Sequence, residues 1–359
     1  MQDTTYAYQQ LLDFTIQIFK KIGCPDTDAA SAAEVLLSAD LRGVDSHGVA
    51  RLTGYVRLWE AKRVNATPQV RVIHETPSTA VVDGDSGLGL VVAPYAMALA
   101  IEKARNVGTG WVSVQHSNHY GIAAAHAMKA LEHDMIGISM TNASPLVAPT
   151  FSTSKMLGTN PICVAAPAGT EPAFVADLAT TTAANGKLEI LQRKNEAAPL
   201  GWVQDAAGLD STDAGVLKKG GALLPLGGDR EHGSHKGYAL GAVVDIFSAL
   251  LSGANYAPWV PPFPAYVPMP DRQPGKGIGH FFGAMRVDAF RPVEAYKRDM
   301  DDWIGGFRNA TPVKGQHKVL VPGDPERETE AVRRVHGIPL LPAVAADLKA
   351  LGERLGVVF

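Results

Sequence analysis

Only two cysteines, Cys24 and Cys163, occur in 359 residues. A disulfide framework is therefore excluded, and neither residue belongs to a CxxC or CxxH pair that could hold zinc. A reducing, cytoplasmic compartment is the expectation. Charge of one sign is missing as well: 33 Lys and Arg face 36 Asp and Glu, for a net charge of -3. No basic surface of the kind nucleic acid or an anionic membrane requires is expected. The chain also lacks an apolar run of the ~20 residues that a membrane span needs. Its longest, Leu88 to Ile101, runs straight into Glu102, Lys103 and Arg105 and reads as a buried helix. The opening Met1-Gln-Asp-Thr-Thr-Tyr has neither a basic start nor an apolar stretch after it, so no secretory leader is expected. Apolar residues, by contrast, make up 46% and charged residues 19%. That balance excludes disorder, and the length suits about two domains.

Helical spacing of apolar residues over Tyr8 to Ile22 predicts a first helix, stopped by Gly23 and Pro25. A second is expected from Asp26 or Thr27 to Gly43, and a third through Val49, Leu52, Val56 and Trp59. From about Val70 strand-like runs alternate with helices, which predicts an α/β domain with connections parallel at least in part. Strands are expected near 79–83, 110–114, 136–140, 162–165, 173–176 and 279–285, and a long helix over Lys236 to Leu251. Two segments, 197–235 and 252–277, read as irregular. Asp324 and Pro325 form an N-cap and N1 pair for a helix to Val335, and Pro342 to Leu355 closes the chain as another.

Gly84-Asp85-Ser86-Gly87-Leu88-Gly89 follows a strand and precedes a helix, as a dinucleotide-binding turn would, but its spacing is GxxGxG. It reads as a tight turn. More informative is Asp45-Ser46-His47-Gly48-Val-Ala-Arg51-Leu-Thr-Gly-Tyr55. With Asp45 or Ser46 as N-cap, His47, Arg51 and Tyr55 fall at i, i+4 and i+8 on one stripe. Arg51 could hold a carboxylate in a bidentate pair, and His47 could exchange a proton with a neighbouring oxygen. The alternative is a solvated polar face. His119, in Ser117-Asn118-His119-Tyr120-Gly121, would stand at the C-terminal end of a strand, where ligands of α/β sheets gather. With His116 it makes an HxxH, yet no third ligand lies at zinc-like spacing. The loops Thr141 to Pro145 and Gly158 to Pro161 can present hydroxyls and amides to an anion, or can be plain turns. Asp177, at a strand end before Thr180, Thr181 and Thr182, could orient a histidine, hold ribose hydroxyls or cap a helix. Lys236 in a helix's first turn works against the helix dipole, which an anionic ligand would explain.

Together these motifs resemble the malate/L-lactate dehydrogenase family of non-Rossmann oxidoreductases. The resemblance is carried by Asp45-Ser46-His47-Gly48 with Arg51, Asn118-His119-Tyr120-Gly121, Gly158-Thr159-Asn160-Pro161, Asp177-Leu-Ala-Thr-Thr181, Gly186-Lys187, His235-Lys236-Gly237-Tyr238 and Val321-Pro-Gly-Asp-Pro325, in the family's order over almost the whole chain. It implies an α/β fold: a non-Rossmann mixed sheet between helices, and a smaller, mostly helical domain built from both termini. Residues 1–75 with 315–359 would form that substrate and dimerisation domain, and 76–314 the cofactor-binding one. It further implies a homodimer with sites near the subunit interface, and an NAD cofactor, with NADP possible. Ser144, Asp177, Leu178, Ala179, Thr180, Thr181, Lys236, Gly237, Gly323, Asp324 and Pro325 would hold the cofactor.

The family's acid/base histidine corresponds to either His47 or His119, with Asp177 completing the catalytic set. Arg51 would clamp a substrate carboxylate, and Ser46, Tyr55 and Thr159 would add hydrogen bonds to its oxygens. The expected reaction is hydride transfer between NAD(P) and C2 of a small 2-hydroxy or 2-oxo acid, (S)-malate first. Reduction of a cyclic imino acid or a diketo-sugar acid is the alternative enzyme reading, and a non-catalytic binding protein the distant one. A 2′-phosphate would call for a cation near the ribose. Gln192-Arg193-Lys194 is a candidate for that, or else a solvated charge run. The proline- and aromatic-rich segment Tyr256 to Tyr266 departs from the family pattern and could change what enters the pocket.

Overall fold

The apolar spacing at the N-terminus produces the elements it predicts. A computed structural model describes residues 4–359; the first three residues of the stretch read for a leader, and the Arg193 side chain in the charge run, lie outside that description. Strand β1 (Thr4–Tyr6) leads into helix α1 (Tyr8–Lys21), which buries Leu11, Phe14, Ile18 and Phe19 along one stripe. Helix α2 (Asp26–Leu41) begins after Pro25 with Asp26 and Asp28 in its first turn, where the helix dipole favours acids.

The single helix expected through His47, Arg51 and Tyr55 does not form. Two 3₁₀ turns, Asp45–His47 and Val49–Arg51, precede α3 (Leu52–Glu60). The cause is the carboxyl of Asp40, buried at the end of α2. It accepts the Val49 amide at 2.8 Å and fills the place of a Gly48 side chain, since a Cβ there would lie 2.1 Å from it. The backbone bends around this group and cannot continue as one helix.

Next come β2 (Arg71–Glu75), β3 (Thr79–Asp83), α4 (Gly89–Val107), β4 (Thr109–Ser117), α5 (Ala123–Ala127), β5 (Met135–Thr141), β6 (Ile162–Ala166) and β7 (Phe174–Leu178). Helix α6 (Asn185–Lys194) follows, and the segment read as irregular, 197–235, holds a small sheet of two-residue strands β8 (Val203–Gln204), β9 (Asp210–Ser211) and β10 (Ala222–Leu223). Helix α7 (Ser234–Asp245) ends in a π turn over Ile246–Leu250, and β11 (Ile278–Arg286) follows. Helix α8 (Val293–Arg308) has no counterpart in the sequence reading, although Val293, Tyr296, Met300, Trp303, Ile304 and Phe307 fall at helical spacing; Ile304 is its one buried residue. Helix α9 (Asp324–His336), β12 (Ile338–Leu340) and α10 (Pro342–Leu355) complete the chain. Asp324 is not the N-cap; Gly323 is. The Asp324 carboxylate instead accepts the Val321 amide at 2.9 Å and pairs with Arg308 at 2.8 Å.

Seven strands form one mixed sheet in the order β2-β3-β4-β11-β5-β6-β7, with β3 and β4 parallel and every other neighbour antiparallel. It follows that β3, β4, β5 and β7 run the same way. Their C-terminal ends therefore share one edge with the starts of β6 and β11. Every loop in which the sequence placed a candidate residue between strands opens on that edge. A core of alanine, valine and methionine joins the sheet to α4 and α5. A second core joins α1, α2 and α3 to Ile338, Leu340, Leu348 and Leu351, and β1 pairs antiparallel with β12, so both termini build the smaller helical layer. Among the described residues no helix is long and apolar enough to cross a membrane.

Candidate active site

His119 leaves the end of β4 on a loop that Asn118 pins. The Asn118 amide donates to the carbonyls of Ser86 at 2.9 Å and Gly87 at 3.0 Å, tying this loop to the turn after β3. The glycine-rich segment at 84–89 is thus a structural turn. The His119 ring stacks on that of His47, with centroids 5.6 Å apart and planes at 26°. Tyr55, fully buried on α3, places its hydroxyl 2.6 Å from His119 Nδ1. The Ser46 hydroxyl lies 2.9 Å from His47 Nδ1, and Arg51 Nε donates to the Ser46 carbonyl at 2.6 Å. Despite the broken helix, Ser46, His47, Arg51, Tyr55 and His119 form one group, with both histidines partly exposed.

Burial, and next the charge of Arg51, hold His47 down to about 4. His119 lies well below the usual histidine range, through burial first and then His47, Arg51 and His280. Both imidazoles are neutral at neutral pH in the free protein. An anion placed on Arg51 would relieve part of this depression, which couples carboxylate binding to proton affinity.

Asp177, at the end of β7, accepts the Ala124 amide at 2.8 Å and so caps the start of α5; it bonds to neither histidine. Its side chain keeps an exposed edge, yet the desolvation of its carboxyl raises it to about 6. Thr159 uses its carbonyl to accept the Thr180 amide at 2.9 Å and has no hydrogen bond to the histidine group. His116 turns away to Asp83 at 2.9 Å and Ser86 at 2.7 Å.

The loops expected to hold a cofactor are tied to one another. The Thr180 hydroxyl donates to the Thr159 and Asn160 carbonyls at 3.1 Å, and the Thr180 carbonyl accepts the Leu226 amide at 3.0 Å. Leu226 packs so closely on the first turn of α7 that a Cβ on Gly237 would lie 2.3 Å from its carbonyl oxygen. Lys236 is exposed there, and its ammonium makes no ion pair or hydrogen bond among the described residues. The Pro322 carbonyl, just before Gly323-Asp324-Pro325, accepts the Val175 amide at 3.1 Å, two residues before Asp177. An unpaired cation at a helix N-terminus, with hydroxyl-bearing loops around it, suits an anionic dinucleotide. A nicotinamide cofactor fits the residues present.

Three residues escaped the sequence reading. Phe263 packs its ring 5.0 Å from that of His119 and 5.3 Å from that of Tyr55, and its amide donates to the Ser144 hydroxyl at 2.9 Å. The proline-rich segment carrying it stands out in the sequence, but no periodicity points to one ring in such a loop. Glu189, on α6, lies 3.7 Å from Arg51, and Asp40 supports the Gly48 bend. Nothing local in the sequence links these residues to their partners.

The sequence profile described as malate/L-lactate dehydrogenase matches residues 6–349. The malate dehydrogenase of Pyrococcus abyssi is 41% identical over 349 residues, which is 97% of this chain and 94% of that protein. The L-sulfolactate dehydrogenase of Methanocaldococcus jannaschii is 36% identical over 342 residues, covering 95% and 94% respectively. Among solved structures, malate dehydrogenase from Pyrococcus horikoshii OT3 superposes with a TM-score of 0.89 at 38% identity, covering 99% of this chain and 96% of that one. The chain belongs to the malate/L-lactate dehydrogenase family. It is a dehydrogenase acting on 2-hydroxy acids with a nicotinamide cofactor.

Proposed function

We propose that the chain interconverts (S)-malate and oxaloacetate with NAD. The observation that carries this reading is the facing pair of His47 and His119 with Ser46 and Arg51 on the same turn as His47. The similarity to malate dehydrogenases supports the choice of acid.

A bound nicotinamide supplies the hydride to C2, or accepts it in the reverse direction. The chain's own residues hold the acid and handle the proton. Arg51 holds the C1 carboxylate through its terminal nitrogens and so fixes the face of C2 that is presented. Ser46, Tyr55 and Thr159 bound the substrate oxygens. His119 donates a hydrogen bond from Nε2 to the C2 oxygen, and His47, across from it, is the proton partner. Asp177 holds ribose hydroxyls, and Ser144, Leu178, Ala179, Thr180, Thr181, Lys236, Gly237, Gly323, Asp324 and Pro325 complete the cofactor contacts. Residues 1–75 with 315–359 act as the substrate and dimerisation domain and 76–314 as the cofactor domain. A second copy of the chain covers the exposed apolar face of α7 and its π turn, formed by Tyr238, Val243, Ile246, Leu250 and Leu251.

The test is NADH and NADPH oxidation with oxaloacetate, pyruvate, a diketo-sugar acid and a cyclic imino acid. Preference for oxaloacetate and NADH is expected. Turnover of the cyclic imine alone would replace the reaction while keeping the carboxylate clamp.

A further inference from the structure

Helix α6 meets the Ser46–Arg51 turn from outside the core that supports it. Its Leu188 is buried with Val147, Leu157, Val203 and Leu223, in a small apolar cluster belonging to the three-stranded unit. The helix reaches the turn at Gly186, where a Cβ would lie 2.5 Å from Ser46 Cβ and 3.7 Å from Arg51 Nη2. One turn further on, Glu189 is held at both oxygens. Asn185 Nδ2 donates to Oε1 at 2.9 Å, and Oε2 lies 3.7 Å from Arg51 Nη2. The other side of the guanidinium is committed, because Nε donates to the Ser46 carbonyl at 2.6 Å. No other acid pairs with Arg51 among the described residues. Side-chain exposures of 24% for Arg51 and 38% for Glu189 leave the pair within reach of a solute.

We propose that Glu189 is a specificity-determining residue: an internal carboxylate held on the arginine that receives the substrate's carboxylate, which a binding acid must displace. This rests on the clamp role of Arg51. A guanidinium satisfies a carboxylate best when two parallel hydrogen bonds form, and 3.7 Å is too long for even one. The internal acid therefore neutralises Arg51 by charge without using its donors. A ligand carboxylate that can form the fork displaces it, whereas a carbonyl compound without a carboxylate gains nothing by doing so. Glu189 thus sets how strongly the site demands an acid.

Steady-state kinetics at saturating NADH with oxaloacetate test this through a double-mutant cycle. Glu189→Gln is expected to lower KM about two- to fivefold, the range of a partly exposed ion pair, with the change carried in KM rather than kcat. Glu189→Asp, a methylene shorter, should lower it by less. Arg51→Gln should raise KM, and in that background Glu189→Gln should have no effect. A raised KM in Glu189→Gln, or the same decrease in both backgrounds, overturns the inference while the clamp stands. An unchanged KM in Arg51→Gln overturns the clamp, and the inference with it.

Discussion

The Tyr55 hydroxyl and the backbone amide of Gly121 both point at Nδ1 of His119, at 2.6 Å and 3.4 Å. A backbone N–H can only donate, so Nδ1 is the acceptor and the neutral ring carries its hydrogen on Nε2. Protonation of Nδ1 would set a hydrogen against that amide, which adds to the depression of His119 by burial. Tyr55 therefore fixes both the tautomer and the ring. In Tyr55→Phe the ring loses its orienting donor but not its packing. We expect kcat to fall roughly tenfold, as the hydrogen bond that His119 gives to the charge developing on the C2 oxygen is misplaced, with little change in Tm. An unchanged kcat would mean that His119 does not depend on Tyr55 for its orientation.

Depressed histidines make a prediction about pH. Oxidation of the hydroxy acid needs a neutral imidazole to take up the proton. With His47 near 4 and His119 well below its usual range, neither limits the free enzyme at pH 6 to 8. The kcat/KM for malate oxidation should show no histidine limb near 6.5; the histidine limb should lie toward pH 4 or below. Asp177, raised to about 6, is the one candidate for a limb near that pH, and Asp177→Asn should abolish it. A limb near 6.5 that survives this substitution would show that the histidines are not depressed.

Much of this arrangement was legible in the sequence because it is periodic or local. The apolar stripe of α1, and for α2 the start at Asp26 or Thr27 and the stop at Gly43, place both helices within a few residues, and strand-like runs locate every strand of the main sheet except β2. His119 could be placed at a strand end because β4 is an uninterrupted run ahead of it. The pairing of His47 with His119 is different in kind, since it joins residues 72 apart through a sheet order that no local pattern encodes. The break at Gly48 depends on Asp40, and the satellite sheet consists of strands two residues long, too short to show alternation. Side chains brought in by irregular loops, such as Phe263, become visible only once their neighbours are known.

Phe263 supplies a size prediction. Its ring walls the group against His119 and Tyr55, and its segment is tied down by the Arg63 side chain on the Pro262 carbonyl as well as by Ser144. Phe263→Ala should leave a void beside His119. The kcat/KM for phenylpyruvate relative to oxaloacetate should rise at least tenfold, in keeping with the value of a few buried methylenes. Parallel losses on both substrates would remove Phe263 from the substrate wall.

The face of α7 predicts an assembly state. Ile246 is 47% and Leu250 53% exposed, next to Leu251 at 54%, and a monomer would leave this continuous apolar stripe in water. Light scattering should give twice the chain mass, and Ile246→Asp with Leu250→Asp should yield the single-chain mass with a lower Tm. A wild-type mass equal to one chain would show that the face is not covered by a second copy.

Asp40 links the bend at Gly48 to stability. Burial first, and then the charge of Asp45, raise its carboxyl to about 8, against a contrary pull from the Val49 amide and Arg333. In the unfolded chain the same group titrates near 3.8. The sign follows from which state binds the proton more tightly. Below pH 4 both states hold it, and the group's full stabilising contribution is present. As pH rises from 4 toward 8 the unfolded chain releases the proton while the folded one keeps it, so stability is lost progressively across that window, and above 8 the loss is complete. Asp40→Asn keeps an oxygen for the Val49 amide and does not titrate. The variant's Tm should therefore gain on the wild type between pH 5 and pH 9, by on the order of 5 °C. A gap that shrinks as pH rises would mean that Arg333 and the Val49 amide hold Asp40 ionised in the folded protein. The bend that presents His47 and Arg51 would then rest on a buried charge.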